Sequence, residues 1–234
     1  MDENAVKWVR KLVIIGAVIG VYLVFFYGKN GPRLSPAEKS LAERAGVPAA
    51  TALAVKKDCQ SVFYLNPADS FVRPLIGMDY DGNTKAVNAI ACTVSHGKTA
   101  AVMDKYRAAL RKDGLMMFVS EQNYGDKPDE LAILKTNDQY DIIRVMATDG
   151  INYDIDNAMV VKKLKEWEKT CSFEITGAGQ DWMEAVFTKQ PADMAVFAKQ
   201  VYTFCPDVVD QGTGTQEGLA EEMKGKNTLY LWWD

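Results

Sequence analysis

The sequence predicts an α+β fold: a mixed, largely antiparallel sheet with helices packed on it, preceded by one N-terminal transmembrane helix. An uncharged apolar stretch near the start predicts the membrane helix. After it, short segments with strand-like patterns follow one another as hairpins in some places and are separated by amphipathic helices in others. This irregular order favours an α+β sheet over a doubly wound parallel fold, in which strands and helices alternate regularly.

Residues 12–28 are expected to anchor the chain in a membrane. They carry no charge, and at about 1.5 Å per residue they span roughly 25 Å as a helix, slightly less than a hydrocarbon core of about 30 Å. A cleaved signal peptide would have small residues at its cleavage site, whereas the large residues Phe25, Phe26 and Tyr27 stand near the end of this stretch. We therefore expect residues 1–28 to be retained as a short tail and an anchor.

The flanking charges indicate how the anchor is oriented. Lys7, Arg10 and Lys11 lie close before it in a very short tail, which favours a tail inside the cell and a domain outside it. The expected location is the bacterial inner membrane, crossed once, with the domain in the periplasm. Gly16 and Gly20 have the spacing that lets two such helices approach closely, so they suggest a homodimer formed through the anchor.

The remainder divides into a juxtamembrane helix with its linker, residues 29–48, and one α+β domain, residues 49–234. Lys and Arg total 27 against 31 Asp and Glu, which gives a net charge of −4 at pH 7. An acidic chain without a basic stripe does not attract nucleic acid, so nucleic-acid binding is excluded as a function. No motif indicates a cofactor.

The four cysteines, Cys59, Cys92, Cys171 and Cys205, match no zinc spacing, and His96 is the single histidine, so no metal site is expected. If the domain is cytosolic, all four are expected to be buried thiols. If it is exported, three pairings are open. Among them we expect Cys59 with Cys92, because we assign each to a strand of the same sheet. Cys171 and Cys205, both near helix ends, either pair or remain thiols.

Local patterns place most helices and strands. Ser35, Pro36 and Glu38 occupy the positions of an N-cap, a first helical residue and a capping box, in a helix that stops at Gly46. Helices are also expected over 98–112, 154–171, 190–205 and 215–224, and strands over 62–65, 89–94, 115–119, 131–134, 140–146, 173–176, 182–188 and 228–233. The strands at 131–134 and 140–146 are expected to form a hairpin through residues 136–139.

The C-terminal half carries short motifs in a fixed order. They are Cys-Pro-Asp at 205–207, Asp-Gln-Gly at 210–212, the Gly-Thr that follows, and Trp-Trp-Asp at 232–234. In this order and spacing they resemble the bacterial family called domain of unknown function 4253, over residues 114–234. The resemblance implies an intracellular-type globular domain of unassigned activity, and the anchor at 12–28 departs from the mostly soluble members of that family.

The loop at 206–215 concentrates polar side chains between two predicted helices. It holds the candidate binding residues Asp207, Asp210, Gln211, Thr213 and Thr215. The interpretation that we favour is structural: the two carboxylates bond nearby main-chain amides, and Gly212 and Gly214 take positive φ. In this interpretation Thr213, with Gln216, caps the last helix.

Three functional interpretations of this loop remain open. The first is an anion site, since its glycines and threonines would expose main-chain amides at a positive helix end. The second is a cation site formed by Asp207, Asp210 and Glu217, although these lack the alternating oxygen ligands of a calcium loop. The third makes Cys205 a nucleophile with His96 as its base.

Trp232 and Trp233 occupy neighbouring strand positions, so their rings are expected on opposite faces of the sheet. We favour the interpretation that both are buried aromatics, since large aromatic side chains mostly serve as packing. The alternative is an aromatic floor beside the loop, and it adds Trp233 to the candidate binding residues.

These features together predict a membrane-anchored, non-catalytic binding domain. The pairing of an anchor with an acidic domain that lacks a complete catalytic constellation suggests an immunity-type protein that neutralises a protein toxin delivered to the cell envelope. The alternative function is a hydrolase or an anion-binding enzyme built from residues 206–217.

Overall fold

The computed structural model describes residues 33–59, 72–78 and 83–234. The expected anchor at 12–28, with Gly16 and Gly20, and the expected strand at 62–65 lie outside these ranges. Within the ranges, no helix is both long enough and apolar enough to cross a membrane.

Two helices begin the described chain: α1 (Pro36–Arg44) and α2 (Ala49–Cys59). The capping box predicted for α1 is confirmed, since Ser35 and Glu38 exchange side-chain to main-chain hydrogen bonds of 2.7 and 3.2 Å. The sequence patterns do not predict α2, because its apolar residues do not form a clear stripe. Cys59 therefore ends a helix, and our assignment of Cys59 to a strand was wrong.

A buried ion pair joins these two helices. The Nζ of Lys56 lies 2.7 Å from Oε1 of Glu38. The same carboxylate accepts a hydrogen bond of 2.9 Å from the main-chain N–H of Val72, so it connects α1, α2 and the start of the sheet. Burial would raise the pKa of Glu38, but its hydrogen bonds outweigh burial and hold that pKa below the usual value.

A seven-stranded sheet forms in the order β1-β2-β4-β3-β5-β6-β7. Its strands are β1 (Arg73–Met78), β2 (Thr84–Val94), β3 (Leu115–Glu121), β4 (Asp129–Lys135), β5 (Ser172–Ala178), β6 (Trp182–Lys189) and β7 (Thr228–Trp232). Neighbouring strands are antiparallel except β3 and β5, which are parallel and meet at Val119 and Gly177. The mixed, largely antiparallel sheet predicted from the sequence is therefore confirmed.

The edge strand β1 is absent from the sequence-based expectations. It contains Pro74 and Gly77, two residue types that disfavour strand interiors. Proline is tolerated at a sheet edge or a bulge, and the pairing of β1 with β2 shifts register between Pro74 and Leu75. Residues 73–78 form a strand because they pair with β2. The residue types within the segment do not indicate this pairing.

The other helices are α3 (His96–Lys112), α4 (Tyr140–Met146), α5 (Asn157–Trp167), α6 (Met194–Phe204) and α7 (Gln216–Lys226). The helices predicted over 98–112, 154–171, 190–205 and 215–224 correspond to α3, α5, α6 and α7, which confirms them within a few residues. The ends of α5 and α6 come earlier than predicted, before Cys171 and Cys205.

The segment Tyr140–Met146 is helix α4, so the strand and the hairpin predicted there were wrong. The polar residues that precede it start the helix instead of turning a hairpin, since Oδ1 of Asp138 accepts a hydrogen bond of 3.0 Å from the N–H of Tyr140. Ile142 and Ile143 are both buried in the core. In so short a segment, this packing overrides the strand preference of β-branched residues.

Both faces of the β2, β3 and β4 strands are covered. Phe118 of β3 packs in a core with Leu164 of α5, together with residues of α4, α6 and α7. Met117, one position earlier, packs in a second core with Val102 of α3 and residues of α1 and α2. Successive strand residues point to opposite faces, so this half of the sheet is the middle of three layers.

Candidate functional site

The predicted loop lies between α6 and α7, where Val208–Thr213 forms a π-helical turn. Gly214 has a φ of +74°, as predicted, whereas Gly212 does not adopt positive φ. The cap of α7 is Thr215 and not Thr213, since Oγ1 of Thr215 accepts a hydrogen bond of 3.0 Å from the N–H three residues later. The predictions for Gly212 and Thr213 were wrong because the π-helical turn includes both residues.

Asp207 is buried, and its carboxylate bonds to groups within the protein. Its Oδ1 accepts hydrogen bonds from the Tyr153 hydroxyl at 2.5 Å and from Nε2 of Gln211 at 3.1 Å. Its Oδ2 accepts a hydrogen bond of 2.9 Å from the main-chain N–H of Asp234. Asp207 therefore orders the chain as the structural interpretation requires, but the amide that it holds comes from the end of the chain and not from its own loop.

These contacts fix the ionisation of both partners. Burial would raise the pKa of Asp207, but the hydrogen bonds from Tyr153, Asp234 and Gln211 outweigh burial and hold that pKa below its ordinary value. The hydrogen bond to Asp207 raises the pKa of Tyr153 to about 12. At neutral pH the pair is a carboxylate and a neutral phenol, which suits a stable contact better than proton transfer.

The other predicted loop residues have separate partners. Asp210 is exposed and accepts a hydrogen bond of 3.2 Å from the Tyr202 hydroxyl. The Thr213 hydroxyl donates to the main-chain carbonyl of Thr215 at 3.0 Å. The structure thus brings Gln211 into direct contact with Asp207, whereas Asp210, Thr213 and Thr215 have other partners.

The ion-site interpretations of the loop gain little from this geometry. Among residues 33–59, 72–78 and 83–234, no group of three or more His, Cys, Asp or Glu side chains is placed to hold a metal ion. Of the amides that an anion would need, the N–H of Gly214 already donates to Val209 at 2.8 Å, and the N–H of Gly218 donates to Thr215.

Cys205 and His96 contact different partners and not each other. The Sγ of Cys205 donates a hydrogen bond of 3.0 Å to the main-chain carbonyl of Trp232, and burial raises the pKa of this thiol to about 12. The Nδ1 of His96 lies 3.0 Å from Oδ2 of Asp129. A thiol that stays protonated at neutral pH is a weak nucleophile, so Cys205 is better described as a packed thiol that pairs with the edge strand β7.

Trp232, the last residue of β7, and Trp233, which follows it, lie on opposite sides of the sheet, as predicted. Trp233 is buried, packs edge-on against Phe204, and lies so close to Gly150 that a Cβ there would be 2.7 Å from its ring. Trp232 is half-buried and is paired across the strands with Trp182. The predicted candidate Trp233 therefore lies in the core, and Trp232 is the ring that reaches the opposite surface.

On that opposite surface the fold brings together aromatic side chains that the sequence patterns did not place side by side. Met183 of β6 and Leu231 of β7 are buried in the main core. The residues that alternate with them along the two strands point to the other face and stay partly exposed. We call this surface the open face, and its members are Trp182, Glu184, Val186, Tyr230 and Trp232. Among the described residues, helices thus cover both faces of one half of the sheet and leave the aromatic surface of the other half accessible.

The aromatic side chains of the open face are held in place by their neighbours. The rings of Trp182 and Tyr230 stack, with centroids 6.3 Å apart and planes inclined by 21°. A Cβ at Gly179 would lie 2.2 Å from the Trp182 indole nitrogen, so this close approach requires glycine. The hydroxyl of Tyr124 lies 3.1 Å from that of Tyr230, and Tyr124 is itself 69% exposed.

Helix α3 forms one wall of the open face. Arg107 and Arg111 both pair with Glu174 of β5, the former at 2.9 Å. Burial lowers the pKa of the Arg107 guanidinium, and the charge of Glu174 opposes that effect. A cleft of about 400 Å³ opens here, lined by these three residues, by Asp104 and Lys112, and by apolar residues of α3, β3 and β5.

A second cleft, of about 490 Å³, adjoins the first where β3 and β5 separate. There the side chain of Gln139 bonds to β5 as a strand would. Its Nε2 donates to the carbonyl of Phe173 at 3.3 Å, and its Oε1 accepts from the N–H of Ile175 at 3.0 Å. A neighbouring strand would bond in the same way to two residues of β5 that are two positions apart. The side chain of Gln139 therefore replaces a neighbouring strand at this part of β5.

The comparison with family models identifies the C-terminal part of the chain. Residues 130–234 match the family described as "Domain of unknown function (DUF4253)", which confirms the resemblance seen in the motifs. The match begins within β4, later than the expected start at residue 114, and it includes the 206–215 loop, the open face and Trp233. Neither curated proteins nor solved structures give a match to the chain.

Proposed function

We propose that this chain, whose C-terminal part matches that family, is a single-pass protein of the bacterial inner membrane with a non-catalytic binding domain in the periplasm. Residues 12–28 provide the anchor, and Gly16 and Gly20 allow two copies to associate within the membrane. The domain acts as an immunity-type protein that binds and neutralises a protein toxin delivered to the cell envelope.

The open face is the observation that carries the binding function. Tryptophan and tyrosine are enriched at the centres of protein interfaces, where they supply large contact areas at little cost in conformational entropy. Trp182 and Tyr230 are already stacked, and the close approach of Gly179 restricts the position of the indole. A surface that is ordered before binding loses less entropy when it binds, which favours affinity.

The acidic groups near Tyr230 favour a basic partner at that end of the face, whereas Arg107 and Arg111 pair with Glu174 along the α3 side. Asp181 and Glu184 lie close enough to Tyr230 that both contribute, after burial and the bond to Tyr124, to raising its pKa. The chain as a whole is acidic. A toxin surface that presents Arg or Lys would therefore be attracted to the domain and could place its cations over the aromatic rings.

The alternative, a hydrolase or an anion-binding enzyme built from residues 206–217, finds less support. Asp207 would have to give up three hydrogen bonds from within the protein before it could act on a substrate. The thiol of Cys205 stays protonated at neutral pH because burial raises its pKa to about 12.

Co-expression tests the proposal. If a secreted protein is encoded beside this chain, it would be exported to the periplasm of a host bacterium, with and without the full chain. We expect the host to stop growing without the chain and to grow with it. Tyr230→Ala should weaken this protection by tenfold or more, since interface aromatics often contribute at least about 1.4 kcal/mol. The control is Met159→Ala, at a methionine of helix α5 that is 49% exposed, which should protect as the parent does.

Full protection by a folded Tyr230→Ala variant would show that the open face is not the binding surface. Neighbouring genes that encode metabolic enzymes and no secreted toxin would contradict the immunity assignment. Loss of protection in a folded Asp207→Asn variant would instead favour the enzyme built from the loop.

A further inference from the structure

Two buried thiols face each other at the junction between the N-terminal helices and the sheet. The Sγ atoms of Cys59, the last residue of α2, and Cys92, in the middle layer on β2, lie 3.0 Å apart. The two side chains are 4% and 5% exposed, and both belong to the second core. A disulfide bond is about 2.05 Å long, so a shift of roughly 1 Å between the sulfur atoms would join them.

The other two cysteines already have separate main-chain partners. The Sγ of Cys171 donates to the carbonyl of Trp167 at 3.2 Å, and that of Cys205 donates to the carbonyl of Trp232 at 3.0 Å. Cys171 and Cys205 both lie in the main core, whereas Cys59 and Cys92 lie in the second core across the sheet. The sheet therefore separates the close pair from the other thiols, and one of the three pairings stands out.

We propose that under oxidising conditions Cys59 and Cys92 form an intramolecular disulfide, and that Cys171 and Cys205 remain thiols. The oxidant is a protein or small-molecule disulfide. One of the two thiolates attacks it and releases one thiol, which leaves a mixed disulfide. The second thiolate then attacks the sulfur of the first, the new bond forms, and a second thiol leaves. Both protons and both electrons of the cysteine pair thus end on the reduced oxidant.

The burial of the pair determines when this reaction occurs. Hydrogen bonding to Cys59 and burial both raise the pKa of Cys92, so the thiolate is scarce once the domain has folded. Exchange is therefore expected during folding or through local opening, and not at the native surface. The finished bond is then protected from reduction by the same burial.

The disulfide would fasten the N-terminal helices to the sheet. α1 and α2 follow the expected anchor, so any force on the membrane tether reaches the domain through them. The buried pair of Glu38 and Lys56 holds the two helices together, and a bond from Cys59 to Cys92 would fix the end of α2 to β2. This inference does not depend on what the domain binds.

Refolding in a glutathione buffer tests the inference. The full chain, in detergent, would be reduced, denatured and refolded with reduced and oxidised glutathione, then alkylated under denaturing conditions and mapped by mass spectrometry. We expect one linked peptide pair containing Cys59 and Cys92, with Cys171 and Cys205 alkylated. The oxidised protein should melt about 5 to 15 °C above the reduced protein.

Two variants serve as matched controls. Cys171→Ala should keep the linked peptide, and Cys92→Ala should abolish it. Four alkylated cysteines in the refolded parent, or a linked pair that contains Cys171 or Cys205, would overturn the assignment. If the bond forms in the glutathione buffer but mapping of protein taken directly from cells finds four thiols, the disulfide assignment stands and the periplasmic location in the proposed function fails.

Discussion

The main-chain N–H of Asp234 donates a hydrogen bond of 2.9 Å to Oδ2 of Asp207, a residue 27 positions earlier in the chain. Beside this bond, the Sγ of Cys205 contacts both the N–H and the carbonyl of Trp232. The Cys-Pro-Asp motif thus holds the Trp-Trp-Asp motif at the end of β7. This contact gives a structural reason for the two motifs to occur together.

Asp207→Asn should destabilise the domain, whereas Asp210→Asn should not. An asparagine cannot accept all three hydrogen bonds that the buried carboxylate accepts, so we expect the free energy of unfolding to fall by about 1 to 3 kcal/mol. Asp210 is exposed, and its loss of charge should change stability by no more than about 0.5 kcal/mol. Urea unfolding of the two variants measures the difference, and equal stabilities would contradict the role assigned to Asp207.

The contribution of Asp207 should depend on pH with a definite sign. Its folded pKa lies below its ordinary value, so the charged form stabilises the fold above the unfolded pKa of about 3.9, and this stability is lost as pH falls toward the lower folded pKa. The stability gap between the parent and Asp207→Asn should stay constant from pH 7 to about pH 5 and shrink below about pH 4. A gap that widens in acid would contradict the lowered pKa.

Gln139→Ala should weaken the junction between β3 and β5. The substitution removes the partners of the Phe173 carbonyl and the Ile175 N–H, and we expect a loss of about 1 to 3 kcal/mol in the free energy of unfolding. The control is Gln200→Ala, an exposed glutamine on α6, which should change stability by no more than about 0.5 kcal/mol. Faster amide exchange at Ile175 in Gln139→Ala alone would locate the effect, and unchanged exchange there would contradict it.

Much of the fold follows from local sequence signals, and the exceptions share a physical cause. The capping box of Ser35 and Glu38 and the apolar stripe of α5 are local features, so they predict their helices directly. The strand β1 depends on pairing with β2, and the helix α4 depends on packing against residues far along the chain. Pro74 is acceptable only because its strand is at the edge, and Ile142 and Ile143 are helical because the core receives them there.

The candidate site shows the same division. The sequence locates Asp207 and Gln211 correctly in one polar turn, because their motif is contiguous. It does not show that Asp207 binds the N–H of Asp234, since that contact requires the complete fold. The open face is harder still to predict: alternation in β6 and β7 indicates two faces, but only the packing of the described helices determines that they leave the face with Trp182 and Tyr230 uncovered.

We propose that residues 12–28 hold this domain at the periplasmic face of the inner membrane, and paired reporters fused after Asp234 test this proposal. Alkaline phosphatase is active only after export, and a cytoplasmic fluorescent protein reports the opposite orientation. We predict phosphatase activity in the membrane fraction, and loss of that activity when residues 12–28 are deleted. Fluorescence of the cytoplasmic reporter with an inactive phosphatase fusion would contradict the orientation and the toxin-binding role in the envelope.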